Sequence, residues 1–242
     1  MQQVTTVIFD MFETLAQNPP GHWRSTFQTI VKDQGFEAYD EKLWREWSAA
    51  ETEFRDSRVT PGAAFRSYYQ GWRDNFTRAF ASLSLAGDAE DASHRTIQDL
   101  SNRPPYAETV EALGLVQKGW RIAVLSNADD DFLLPNLARL GIEFEAILSS
   151  EEAQVYKPRP ELFQEMLRRL KVSPQEAVYV GDKQLEDVQG AKEVGMGAVW
   201  INRYNTAADP KLPQPDYKIN SLSQLPSLLA GEPASPVSRD GA

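Results

Sequence analysis

The stretch Val4-Thr5-Thr6-Val7-Ile8-Phe9-Asp10-Met11-Phe12-Glu13-Thr14-Leu15 sets a run of β-branched and aromatic residues directly before an aspartate, with a threonine four positions further on. Val, Ile, Thr and Phe favour strands, and an apolar run this short suits a strand buried on both faces, as in a parallel sheet. A carboxylate at the end of such a strand sits at the carboxyl edge, where open α/β sheets bind ligands. Aspartate also caps and turns the chain after strands. Taken alone, Asp10 fits either role. Three later strand ends tip the balance toward chemistry.

With 242 residues, the chain has room for one large domain, or for a core domain carrying a smaller insert. Charged residues at 25% and hydrophobic residues at 41% are ordinary for a globular protein. The formal net charge of −10 argues against nucleic acid or an anionic membrane surface as partner. A small anionic metabolite stays compatible, because a local lysine and a bound cation outweigh a distant global charge. The absence of cysteine removes disulfides, thiolate metal sites and thiol nucleophiles. With no signal-like start and no membrane-length apolar run, a cytoplasmic protein is the expectation. Oligomeric state leaves no trace in the sequence.

After Leu15, Pro19-Pro20-Gly21 breaks the regular pattern, and from about His22 to Asn102 the periodicity is helical. Leu43, Trp44, Trp47, Ala50 and Phe54 share one face; Phe65, Tyr68, Tyr69, Trp72, Phe76, Ala79, Phe80 and Leu83 continue at three- and four-residue steps. Thr60-Pro61 supplies a start for that second helix, with Thr as N-cap and Pro in the first turn. The aromatic stripe suits a bundle core, with some rings left to line a pocket facing Asp10. Arg24, Arg45, Arg55, Arg58, Arg66 and Arg73 are candidates for holding a substrate anion, against the ordinary role of charges on a solvated face.

Beyond Tyr106 helices and strands alternate, which predicts a parallel sheet built from right-handed crossovers. Arg121–Leu125 is a strand running into Ser126-Asn127, whose hydroxyl and neighbouring N–H groups suit an oxyanion. Asp129, Asp130 and Asp131 follow, as acids do at a helix start. A strand near Glu145–Leu148 precedes Lys157-Pro158-Arg159-Pro160, where two prolines stiffen the loop and aim the lysine. Then Ala177-Val178-Tyr179-Val180-Gly181-Asp182 leads to Asp187 in the first turn of a helix expected through Val194 and closing at Gly195. Carboxylates at this spacing can face one hard cation, and Mg²⁺ takes a few carboxylates while keeping waters. Strands at Ala198–Ile201 and near Tyr217–Ile219 complete the sheet, and residues from about 231 onward have the composition of a disordered tail.

The ordered set Asp10–Thr14, Ser126, Lys157 and Asp182–Asp187 resembles the haloacid dehalogenase-like hydrolase superfamily over nearly the whole chain. The resemblance implies a Rossmann-like, doubly wound parallel sheet core with an inserted α-helical cap. Core at 1–16 and 104–230, cap at 17–103 and tail at 231–242 are the corresponding boundaries. It makes Asp10 a nucleophile that forms a covalent aspartyl intermediate. Thr14, Ser126, Asn127 and Lys157 would bind the substrate, and Asp10, Asp182, Asp187 and the main-chain carbonyl of Phe12 would hold Mg²⁺. On this basis the expected activity is Mg²⁺-dependent hydrolysis of a small phosphorylated metabolite.

The sequence departs from that pattern at three places. Most phosphatases of the superfamily carry a general-acid aspartate where this chain has Phe12, and such catalysis is worth about 10²–10⁴-fold. Glu13 stands where glycine is usual, and Lys183 and Glu186 replace the usual Ser and Asn of the last motif. An L-2-haloacid dehalogenase is the rival, because those relatives carry an aromatic residue at the Phe12 position and displace halide, which needs no acid. The Trp44-Arg45 region and Ser126-Asn127 are compatible with it; the Asp182/Asp187 pair, unneeded in a metal-free site, speaks for the phosphatase. A non-catalytic binding protein on the same scaffold is the third possibility.

Overall fold

The computed structural model describes residues 4–60 and 62–231. Strand β1 (Thr6–Phe9) leads into four helices, α1 (Pro20–Asp33), α2 (Asp40–Arg58), α3 (Tyr68–Ser82) and α4 (Ala89–Leu100). Then follow α5 (Thr109–Val116), β2 (Arg121–Ser126), α6 (Asp130–Leu140), β3 (Ala146–Ser149), α7 (Ser150–Ala153) and α8 (Pro160–Leu170). The chain closes with β4 (Ala177–Gly181), a π-helical turn at Gln184–Gln189, α9 (Gly190–Glu193), β5 (Gly197–Ile201), β6 (Tyr217–Ile219) and α10 (Leu225–Ala230).

The six strands form one parallel sheet in the order β3-β2-β1-β4-β5-β6. Every residue of β1 and β4 is buried, as their continuous apolar runs require. Period-two alternation sends Val7, Phe9, Val124 and Val180 to the face that shares a core with α5, α6 and α10. Ile8, Leu125 and Tyr179 go to the other face, against Leu162, Phe163 and Met166 of α8. Phe9 pairs with Val124 on one side and Val180 on the other, so β1 is the point from which the chain winds both ways. A crevice opens at such a switch point, and Asp10 is its first residue.

The cap packs by rings. Phe27 lies 5.2 Å from Trp47 and 5.4 Å from Phe76, and Trp23 lies 5.6 Å from Trp72. Helix α2 buries Leu43, Trp47, Ala50 and Phe54, the face expected from the sequence. The start expected at Thr60-Pro61 is not where α3 begins; Pro61 lies outside the described residues. Helix α3 starts at Tyr68, because Ser67 accepts from the Gln70 N–H while the Gln70 side chain accepts from Ser67 N–H, a reciprocal cap that Thr60 lacks. Phe65 falls outside α3 and stacks on Tyr156 at 4.9 Å. The helix expected through Val194 is likewise divided into the π-helical turn and α9. The tail expected from 231 lies, apart from Gly231, outside the described residues. No helix among the described residues is long and apolar enough to cross a membrane.

Candidate active site

Asp10 follows β1 directly and its backbone N–H donates to Val180 O, which fixes it between β2 and β4. One oxygen, Oδ1, accepts from Ser126 Oγ at 2.8 Å and from Lys157 Nζ at 2.8 Å. Lys157 reaches it from the loop after α7, and its other two donors go to Asp187 Oδ1 at 2.6 Å and Tyr179 OH at 2.9 Å. All three protons of the ammonium are used. Burial opposes the charge on Lys157, yet the carboxylates of Asp10 and Asp187 outweigh it and hold its pKa well above the ordinary value. Asn127 acts one step back: its side chain accepts from the Lys157 N–H at 2.8 Å and donates to the Lys157 carbonyl at 3.2 Å.

Asp182 and Asp187 stand on either side of the bend after β4. A Cβ at Gly181 would come within 2.3 Å of Asp187 Cγ, so glycine is what lets the second acid fold back over the strand end. The π-helical turn brings Asp187 inward, and its Oδ2 accepts from the Lys183 N–H at 2.7 Å. One oxygen from each of Asp10, Asp182 and Asp187 lies within 4.8 Å of the others. That matches the scale of oxygens sharing Mg²⁺ at about 2.1 Å, which stand up to about 4.2 Å apart. Burial, then the neighbouring carboxylates, push Asp182 up to about 8 against the pull of Lys183; burial likewise pushes Asp187 up to about 6 against Lys157. When ionised, the three carboxylates, with Lys157 and Lys183 as their only ammonium partners among the described residues, form a net negative cluster. A divalent cation fits it. No hydrogen bond among the described residues uses the Phe12 carbonyl, which is free to join.

Glu13 has φ +60°, the left-handed region that favours glycine, so the loop keeps the shape a glycine would give it. The side chain compensates: its carboxylate accepts from Tyr106 OH at 2.9 Å, Tyr204 OH at 2.8 Å and the Asn18 N–H. Arg203, after β5, donates to the Glu13 carbonyl at 3.2 Å and the Thr14 carbonyl at 2.8 Å while pairing with Glu108 at 2.7 Å. Thr14 is fully buried behind this turn, outside the wall of the cavity, and its hydroxyl has no partner among the described residues.

The cavity above Asp10 measures about 600 Å³ and is shared between core and cap. Asp10, Phe12, Ser126, Asn127, Lys157 and Asp182 line its floor. Of the cap arginines, Arg55 lines it and Arg58 pairs with Glu186 at 3.5 Å, whereas Arg24, Arg45, Arg66 and Arg73 pair with carboxylates away from it. Sequence reasoning gave no role to Tyr179, Glu186, Glu108 or Arg203; inside apolar or mixed stretches, no spacing marks them out. Asp129 was expected at the start of α6 and is there, but its carboxylate accepts from Tyr68 N–H at 2.9 Å and Tyr69 N–H at 2.8 Å. It latches the core onto the first turn of α3, and burial pushes it up to about 6.

A family model described as haloacid dehalogenase-like hydrolase matches residues 4–195. The chain is 27% identical to (S)-2-haloacid dehalogenase 2 of Pseudomonas sp. over 95% of its own length and 97% of that protein. It is 29% identical to the phosphoserine phosphatase of Thermus thermophilus, over 90% and 96% of the two chains. The crystal structure of a dehalogenase superposes with a TM-score of 0.73 at 25% identity, covering 95% of this chain and 99% of that one. A parallel sheet with a helical cap, carrying Asp10, Ser126, Lys157 and the Asp182/Asp187 pair at its strand ends, places this chain in the haloacid dehalogenase-like hydrolases.

Proposed function

We propose that the chain is a Mg²⁺-dependent phosphohydrolase acting on a phosphorylated metabolite through a covalent intermediate on Asp10. The observation that supports it is the trio Asp10, Asp182 and Asp187, whose oxygens lie within 4.8 Å of one another. A metal-free site for an anionic substrate has no use for the third carboxylate, which raises its electrostatic cost. When bound, Mg²⁺ would neutralise charge on the transferring phosphoryl oxygens.

Ser126 and Lys157 hold Asp10 Oδ1, leaving Oδ2 as the attacking atom. Attack on phosphorus forms the Oδ2–P bond and breaks the bond to the substrate oxygen, which leaves with its electron pair. Water then attacks the phosphorus of the acyl phosphate and releases inorganic phosphate and the Asp10 carboxylate. Asn127 keeps the Lys157 backbone, and through it the ammonium, at a fixed distance from Asp10. Phe12 packs on Phe132 at 5.7 Å and cannot give the leaving oxygen a proton, which favours substrates with stabilised leaving groups.

A second reading rests on that same ring. Halide departs without a proton, so Phe12 costs a dehalogenase nothing, and both dehalogenases and phosphatases stand among the full-length relatives. Under it, Asp10 Oδ2 attacks the halogen-bearing carbon and halide leaves; water hydrolyses the resulting ester. Asp182→Asn separates the two readings. Phosphatase turnover falls at least about tenfold with weakened Mg²⁺ dependence; an unchanged rate of halide release in the same variant would overturn the phosphatase assignment.

A further inference from the structure

From Phe12, two residues beyond the nucleophile, a continuous band of rings runs into the cap. Phe12 lies 5.7 Å from Phe132, Phe132 is stacked on Trp72 at 5.6 Å, Trp72 meets Trp23 at 5.6 Å, and Trp23 meets Trp44 at 6.5 Å. All five rings reach the wall of the cavity. Phe12 and Trp44, the two ends, are half-buried and carry most of the open ring surface, while Phe132 and Trp72, each 1% exposed, and Trp23, 8% exposed, back the wall. A bundle core alone does not explain this band, because its members come from both the core and the cap and meet at the cavity above Asp10.

The charged groups on the same wall narrow the chemistry further. Lys157 is shared by Asp10 and Asp187, Lys183 pairs with Asp182, Arg55 with Glu51 and Arg203 with Glu108. Among the described residues, every cationic side chain lining the cavity therefore already has a carboxylate partner, and a second anionic group on the substrate would have to compete with one of them. A cavity of about 600 Å³ is also several times what a two- or three-carbon acid fills. It falls inside the range of roughly 300–1,000 Å³ common for larger organic ligands.

We propose that the substrate carries one anionic reacting group and, on a short link, a planar aromatic body that lies along the Phe12–Phe132–Trp72–Trp23–Trp44 band. This rests on Asp10 being the reacting centre and adds the substrate class. A ring there gains offset or edge contacts with aromatic neighbours and leaves water. The hydroxyls of a sugar phosphate would gain nothing from these rings and would have to turn to the polar part of the wall, at Asn18, Gln184, Asn202 and Thr206.

The test is binding of unreactive analogues, followed by quenching of tryptophan fluorescence and by calorimetry. 2-Phenylethylphosphonate is compared with ethylphosphonate in the presence of Mg²⁺, and 3-phenylpropanoate with propanoate in its absence. The phenyl member binds at least about tenfold more tightly than its short partner in one pair. Which pair shows it reports separately on the reaction: the phosphonates if the site is a phosphohydrolase, the carboxylates if it is a dehalogenase. Trp44→Leu reduces the preference several-fold, and Phe12→Leu serves if that variant does not fold. Equal affinity within both pairs, or no detectable binding of either phenyl compound, overturns the proposal.

Discussion

Lys157 Nζ stands 2.6 Å from Asp187 Oδ1, and each of these side chains is 1% exposed. The same ammonium holds Asp10, so one buried cation balances the nucleophile and an acid more than 170 residues away in sequence. Removing one partner of a buried pair leaves the other uncompensated, typically at a cost of about 3–5 kcal/mol. Lys157→Met is therefore expected to lose about that much stability in urea unfolding at pH 8. Lys157 holds the Asp187 carboxyl down against burial, so without the ammonium its folded-state pKa rises further and the native form binds more protons than the unfolded chain. Its stability then recovers as pH falls toward 5. A loss that does not change with pH would remove the charge argument.

Gly181→Ala tests the fold-back of Asp187. The new Cβ would meet Asp187 Cγ at 2.3 Å, a clash that only movement of the acid relieves. Overpacking of this kind costs about 1–3 kcal/mol, and Asp187 leaves the carboxylate trio. Calorimetric titration with Mg²⁺ is expected to show affinity reduced at least about tenfold; unchanged affinity would mean that Asp187 does not reach the ion.

Arg203 ties the turn carrying the nucleophile to the loop after β5 through the Glu13 and Thr14 carbonyls, with its guanidinium stacked 3.4 Å from the centre of the Tyr106 ring. Arg203→Ala frees the left-handed Glu13 and unpairs Glu108. Hydrogen bonds to charged groups contribute about 1.5–3 kcal/mol each, not additively, so a loss of about 3 kcal/mol is expected. Small misplacement of reacting groups costs up to about 10²-fold, so kcat falls while KM moves little. A rise in KM alone would make Arg203 a substrate ligand instead.

Asp129 gives the core–cap latch a pH dependence of defined sign. Its carboxyl is pushed up to about 6, chiefly by burial, from an ordinary value near 3.8. Between those values the native state holds more protons than the unfolded chain, so this group's contribution falls as pH rises and is fully lost above about 6. Asp129→Asn removes the charge but keeps only one of the two acceptors, since Oδ1 takes the Tyr68 N–H and Oδ2 the Tyr69 N–H; the lost bond is a cost that does not depend on pH. Its stability relative to the parent chain is expected to improve from about pH 4 to about pH 6 and to level off above that; a constant difference across this range would contradict the shift.

The core was legible because its parallel strands are short, buried on both faces and punctuated by chemistry-bearing residues: Phe9 then Asp10, Leu125 then Ser126, Gly181 then Asp182. Nearest-neighbour signals of that kind survive in the sequence. The start of α3 did not, because Thr60-Pro61 and Ser67 both look like caps, and only the reciprocal bond to Gln70 distinguishes the second. The clamp on Glu13 was hidden for a different reason. Its members, Tyr106, Tyr204 and Arg203, come from loops brought together only by the sheet order, and no local spacing announces them. Thr14 stands apart: its position in the motif was plain, while its buried hydroxyl has no partner among the described residues and Thr14 is not part of the cavity wall.

The most direct measurement is release of phosphate from an activated aryl phosphate, with halide release from a 2-haloacid followed in parallel, each with added Mg²⁺ and then with excess chelator. A good leaving group makes the missing general acid at Phe12 matter least. The expected result is phosphate release that requires Mg²⁺, stops with chelator and is abolished in Asp10→Asn. Halide release indifferent to chelator, with no phosphate formed, would contradict the phosphohydrolase reading and make the chain a dehalogenase.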